Sequence, residues 1–90
     1  MALIDVAPGA EAAFGEAFLR GRGHLAGSVG CRSVRMTQGV ETPTRFVLLV
    51  EWDSIEAHQA FRASAAFPAW REEVGPHFAV PPRVEHFTDV

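Results

Sequence analysis

The pattern of apolar and polar residues along the chain predicts four strands. The most apolar segment, Arg45–Trp52 (RFVLLVEW), carries large apolar side chains at both parities, which indicates a strand covered on both faces. Weaker alternation predicts strands at residues 1–6 (MALIDV) and 29–38 (VGCRSVRMTQ). Residues 83–90 (RVEHFTDV) alternate again after two prolines and predict the last strand.

Apolar residues at three- and four-residue spacing predict two helical regions between these strands. The first lies within residues 10–26 and is expected to end at Gly27. The second begins at Ser54, whose hydroxyl can accept a hydrogen bond from an unpaired N–H of the first turn. We expect Ser64 to cap a second segment of this helix, which ends at Gly75. One stripe of the second region contains Ile55, His58, Phe61 and Arg62.

The predicted order β-α-β-β-α-β is that of an α+β, ferredoxin-like fold, with a four-stranded antiparallel sheet and both helices on one face. Ninety residues predict a single domain spanning residues 1–90. Because both faces of Arg45–Trp52 are apolar, the sheet face without helices needs a cover. A second copy of the same sheet is the simplest cover, so the sequence predicts a homodimer packed sheet to sheet.

Composition narrows the expected partners and location. The eight basic residues are all Arg and are scattered, and the net charge is −3, which argues against nucleic acid and anionic membrane surfaces as partners. A single cysteine, Cys31, predicts no internal disulfide and fits a reducing cytoplasm. No signal-peptide pattern and no apolar stretch of about 20 residues is visible, so we expect a cytoplasmic protein.

Three segments together resemble the antibiotic biosynthesis monooxygenase family of dimeric α+β-barrel proteins. They are VAPGAEAAFGEAF, VEWDSIEAHQAFRASAAFPAWREEVGP and PPRVEHFTDV, in that order along the chain. The resemblance implies a sheet-to-sheet dimer and a ligand cavity between the sheet and the helices of each subunit. It also implies, for members that are enzymes, oxidation of small aromatic, quinol-like compounds by molecular oxygen without metal or flavin. Because family members differ in activity, the fold alone does not select the reaction.

Candidate chemistry is limited to a few side chains. His58 and His86 are the candidate bases, since histidine titrates near neutral pH and both can reach a cavity between helix and sheet. Trp52 and Trp70 are candidate walls for an aromatic substrate. The same role is open to Phe14, Phe18 and Phe61, and core packing is the alternative for all five aromatic residues. For the two histidines, the alternative is an ordinary hydrogen-bonded side chain.

Metal and cofactor sites are not expected. The four histidines form no metal-binding spacing, so no metal is predicted. In the haem-degrading branch of the resembled family, the iron ligand would fall at or near Arg71 and a Trp at Phe61, and an Arg cannot replace a neutral imidazole as an iron ligand. Arg71 is instead expected on a solvated face, and Cys31 lacks a partner that would make it nucleophilic.

Two functions therefore stand as hypotheses. The first is a cofactor-independent monooxygenase acting on a small phenol- or quinol-like metabolite. The second is a non-catalytic dimeric module of the same fold that binds a small hydrophobic ligand or stabilises a partner. An enzyme is expected to hold a cavity with an imidazole in its wall, whereas a structural module is expected to fill that space with Phe and Trp.

Overall fold

The computed structural model describes residues 1–90, which form one antiparallel sheet with helices on one face. The strands are β1 (Ala2–Asp5), β2 (Cys31–Gln38), β3 (Arg45–Trp52) and β4 (Arg83–Val84), in the spatial order β2-β3-β1-β4. The helices are α1 (Glu11–Ala26), α2 (Ile55–Arg62) and α3 (Ala66–Val74), and a 3₁₀ turn, Gly75–His77, follows α3. The α+β, ferredoxin-like prediction is confirmed.

Strand β3 lies in the middle of the sheet and separates its two faces. It pairs with β2 on one side and with β1 on the other, so that Leu48 lies opposite both Met36 and Ala2. Its inner parity faces the helices, and Phe46 and Leu48 are buried there. On the outer parity Val47 and Leu49 are half-buried although no helix covers them. The outer sheet face therefore has an apolar centre.

The core lies between the inner sheet face and the helices. Strand β1 contributes Ile4, helix α1 contributes Phe14 and Phe18, and helix α3 contributes Trp70 and Val74, all of them buried. The rings of Phe14 and Phe46 pack at 4.7 Å between centroids, which joins α1 to the sheet. Helix α1 ends at Gly27, as its sequence predicts. No helix is both long enough and apolar enough to cross a membrane.

Two elements differ from the sequence prediction. The last strand is two residues long rather than eight, because only Arg83 and Val84 pair with β1. Glu85 still exchanges two backbone hydrogen bonds with Met1, and residues 86–90 lie beyond this pairing. Ser64 does not cap α3, since its hydroxyl donates to the carbonyl oxygen of Phe61 at 2.6 Å and Ala65 occupies the capping position. Ser54 does cap α2, because its Oγ accepts from the backbone N–H of Ala57 at 3.1 Å.

Candidate functional site

An apolar cavity of about 270 Å³ lies between the sheet and the helices. Side chains of β1 and β3 form one side of it, including Ile4, Leu48 and Val50. Helices α2 and α3 supply aromatic side chains opposite, and Phe78, Pro81 and Pro82 of the segment before β4 complete the wall. Most of the lining is hydrophobic, so the cavity suits a largely apolar ligand.

His58 is the polar side chain through which this cavity can do acid–base chemistry. It sits on the second turn of α2, whose start Ser54 fixes. Its ring stacks on Trp52 of β3, with centroids 5.0 Å apart and planes inclined by 14°. Its Nδ1 lies 2.8 Å from Nε2 of His86, which is hydrogen-bond distance. One of these two nitrogens must donate and the other accept, so the pair shares a single proton across this contact.

The surroundings of His58 favour its neutral form. Burial lowers the pKa of His58 below its ordinary value, and positive charge at His86, at Arg62 and at the amino terminus lowers it further. A neutral imidazole has one nitrogen lone pair that can accept a proton. His58 is therefore suited to act as a general base at neutral pH.

Aromatic rings surround the part of the cavity next to His58. Trp52 lies 5.7 Å from Phe61 between centroids, and Phe61 lies 5.6 Å from Phe67 in an edge-to-face contact. Trp70 is buried and packs edge-to-face on Phe18 at 6.1 Å. Such rings can contact an aromatic ligand through their faces and edges.

The structure brings most of the candidate residues together. Trp52, His58, Phe61 and Trp70 all line the cavity, and His86 joins them through its contact with His58. Phe14 and Phe18 lie in the core and do not line the cavity. His86 was expected on the last strand, but it lies beyond the end of β4 in the exposed segment 85–90.

Arg71 is the cavity residue whose place the sequence analysis did not predict. The residue is exposed, as expected, and it also lines the cavity, where its guanidinium lies 5.3 Å from the ring centroid of Phe78 and 5.9 Å from that of Phe67. The four-residue step from Phe67 to Arg71 is the signal that could have placed both on one helix face. Arg62, one turn after His58, lines the cavity as well.

Other reactive groups do not add to the site. Burial raises the pKa of the Cys31 thiol, which keeps it protonated and poorly nucleophilic. No group of three or more His, Cys, Asp or Glu side chains is placed to share a metal ion.

Comparison with known proteins agrees with this architecture. The model of the antibiotic biosynthesis monooxygenase family matches residues 1–73. An uncharacterized protein of Bacillus subtilis, YczJ, is 30% identical over 90 residues, which are 99% of this chain and 95% of the relative. A crystal structure of a candidate antibiotic biosynthesis monooxygenase from Bordetella bronchiseptica is 39% identical, has a TM-score of 0.95 and is matched over 99% of this chain and 92% of its own.

A more distant structure shows the same fold. SnoaB from Streptomyces nogalater, a cofactor-independent oxygenase, has a TM-score of 0.81 at 16% identity, over 99% of this chain and 90% of its own. At that identity the likeness concerns the fold alone. The family match over most of the chain, together with the 30% identical relative, shows that this protein belongs to the antibiotic biosynthesis monooxygenase family.

Proposed function

We propose that this protein is a cofactor-independent monooxygenase that oxidises a small phenol- or quinol-like aromatic compound with molecular oxygen. Family membership supports monooxygenase activity in general. One observation carries the finer proposal. The wall of the apolar cavity contains the imidazole of His58, whose pKa is lowered by burial so that the neutral form is favoured. A module that only stabilised a partner would have filled this space with its aromatic side chains.

The proposed reaction begins with proton removal. His58 accepts the hydroxyl proton of the substrate, and the resulting anion is electron-rich enough to transfer electrons to oxygen. One oxygen atom becomes a carbonyl of the product, and the other leaves as water with the O–H and C–H hydrogens of the substrate. Because the substrate itself is the reductant, the protein only has to bind the substrate, remove its proton and keep bulk water out of the cavity.

Each candidate residue has a defined part in this proposal. His86 holds His58 through the 2.8 Å contact and can pass on the proton that His58 receives. Trp52 and Trp70 contact the faces and edges of the substrate ring, and Phe61 lies between them. Phe14 and Phe18 support this wall from the core, where Phe18 packs directly on Trp70.

Oxygen consumption by metal-stripped protein tests the proposal. With naphthol- and hydroxyanthrone-type compounds, we expect uptake above the uncatalysed rate and a loss of about a hundredfold or more in His58→Ala. His86→Ala should retain part of the activity, and His24→Ala, which alters an exposed side chain of α1 outside the cavity, should retain all of it. Uptake that is unchanged in His58→Ala would overturn the catalytic assignment. Ligand binding without any uptake would favour the binding module.

We also propose that the protein acts as a homodimer joined through the outer sheet face. Leu3, Val47 and Leu49 form the apolar centre of this face, since Leu3 of β1 lies opposite Val47 of β3. Polar and charged side chains surround it, among them the ion pair of Asp5 and Arg45 at 3.1 Å. An apolar centre with a polar rim is the usual anatomy of a protein interface. The same surface on two subunits would give a two-fold symmetric contact.

A further inference from the structure

The ionisable side chains that line the cavity are all basic. They are His58, Arg62 and Arg71, and no Asp or Glu is among the lining residues. The chain as a whole has eleven acidic residues and a net charge of −3. The charged side chains of the cavity are therefore positive although the net charge of the molecule is negative, and they favour binding of an anion.

Arg62 and Arg71 are both exposed, and their guanidinium groups have no hydrogen-bond partner within the protein. The ion pairs of the structure use Arg20, Arg32 and Arg45, and no side-chain hydrogen bond involves Arg62 or Arg71. Arg71 is held instead by the faces of Phe67 and Phe78, a contact that orients a guanidinium without using its N–H groups. A guanidinium of this kind can bind a carboxylate through two parallel hydrogen bonds.

The positions of the arginines place the anion beside the proposed base. Arg62 follows His58 by four residues on α2, so the two side chains lie on neighbouring turns of the same helix face. A carboxylate bound by Arg62 would leave the rest of the molecule next to the imidazole. A hydroxyl at the ring position ortho to that carboxylate would then come nearest to His58.

The volume of the cavity limits the apolar part of the ligand. Because a protein cavity of about 150 Å³ accommodates benzene, a cavity of about 270 Å³ accommodates roughly one or two fused aromatic rings. A free phenol would leave the arginines without a partner. A ligand with a ring body and an acidic group uses both the apolar wall and the cationic residues.

We propose that the ligand of this cavity is a hydroxylated one- or two-ring aromatic carboxylate, held by Arg62 and Arg71 with its hydroxyl toward His58. The inference rests on the proposed function for its use of the cavity as the substrate site. It goes further in assigning an anionic group to the substrate and two residues that select it. Positive charge beside the hydroxyl also favours the deprotonated form that reacts with oxygen.

Calorimetric titration without oxygen tests this proposal, because it measures binding and not turnover. The probes are 1-hydroxy-2-naphthoate and 1-naphthol, which share a ring system and hydroxyl and differ in the carboxylate. We expect the dissociation constant of the acid to be about tenfold lower than that of the naphthol at low salt, and the difference to shrink at high salt. Arg62→Gln and Arg71→Gln should each remove most of this difference and leave naphthol affinity nearly unchanged.

Arg20→Gln is the matched control, since it removes one positive charge from a helix outside the cavity and should preserve the difference. Equal affinities for the two probes in the unaltered protein, or an unchanged difference in both cavity variants, would overturn the inference. Tight, arginine-dependent binding of the acid without oxygen uptake on admission of air would support the inference and argue against the proposed oxygenase. The two proposals can therefore fail separately.

Discussion

At the scale of single residues, His58 links the geometry of the cavity to a measurable dependence on pH. Its pKa in the folded protein is lowered, chiefly by burial. The unfolded chain therefore binds a proton at His58 more readily than the folded protein does. By linkage, the free energy of unfolding decreases as the pH falls below about 6.5, the ordinary value for imidazole. The decrease levels off below the lowered pKa of the folded state, and above 6.5 both states are neutral at this position.

Replacing His58 by Gln should remove this share of the pH dependence. Urea unfolding at pH 7.5, 6.5 and 5.5 measures it, with His24→Gln as a control on the exposed side of α1. We expect the loss of stability between pH 6.5 and 5.5 to be smaller in His58→Gln than in the unaltered protein and in the control. An equal loss in all three proteins would show that His58 titrates normally in the folded state.

Gly30 and Gly15 form a second residue-scale test, because the same change should have opposite effects. Gly30 has a φ of +84°, and a Cβ there would lie 2.6 Å from the Cβ of Ala57 on α2. Gly15 lies within α1, and a Cβ there meets nothing within 4 Å. We expect Gly30→Ala to lower the free energy of unfolding by about 1–3 kcal/mol and Gly15→Ala to raise it by up to about 1 kcal/mol. Chemical denaturation of both variants measures these changes in the free energy of unfolding. A Gly30→Ala variant that is more stable than the unaltered protein would contradict the close approach of residue 30 to Ala57.

At the scale of elements, α2 depends on its cap more than α1 does. It has eight residues, of which only Phe61 is buried, and it carries both His58 and Arg62. The hydrogen bond from Ala57 N–H to the Ser54 hydroxyl fixes its start. Ser54→Ala should therefore cost about 1 kcal/mol of unfolding free energy. Ser54→Asp retains an acceptor and should restore most of it, and equal stabilities for the two variants would argue that the cap contributes nothing.

The elements that the sequence predicted well are those that local interactions decide. Strand β3 follows from its apolar residues, α1 ends at its glycine, and the start of α2 follows from Ser54. The last strand was predicted as residues 83–90 from its alternating apolar and polar residues. Such alternation indicates which side chains suit a sheet, but it does not indicate where the partner strand ends. Within β1 only Ala2 and Leu3 pair with β4, and the backbone hydrogen bonds between Met1 and Glu85 are the last ones between the two segments.

The candidate site shows the same division between local and long-range information. His58 was identified from its place on the inner stripe of α2, which is a local pattern. Its contact with His86 joins residues 28 positions apart, and it depends on the path of the segment beyond β4, which no local pattern gives. Arg71 was expected on a solvated face, and it is exposed, but its contacts with the rings of Phe67 and Phe78 at the cavity were not predicted.

At the scale of the whole molecule, the chain has one covered and one uncovered sheet face. The covered face carries the core and the cavity, and the uncovered face has Leu3, Val47 and Leu49 at its centre. A chain of 90 residues buries only a modest share of its surface on folding. Burying the outer face against a second copy would add to the hydrophobic stabilisation that the small core supplies.

The proposed dimer predicts a change of mass from one substitution. Leu49→Asp would place a carboxylate at the centre of the apolar contact, where desolvation of the charge opposes association. Leu19, which is 71% exposed on α1, supplies the matched control Leu19→Asp on the helical side of the molecule. Light scattering coupled to size exclusion should give twice the 9.8 kDa chain mass for the unaltered protein and for the control, and a single chain mass for Leu49→Asp. A monomeric unaltered protein at micromolar concentration, or a Leu49→Asp variant that stays dimeric with an intact fold by circular dichroism, would show that the outer sheet face is not the contact. In that case the half-buried residues of β3 would need another partner.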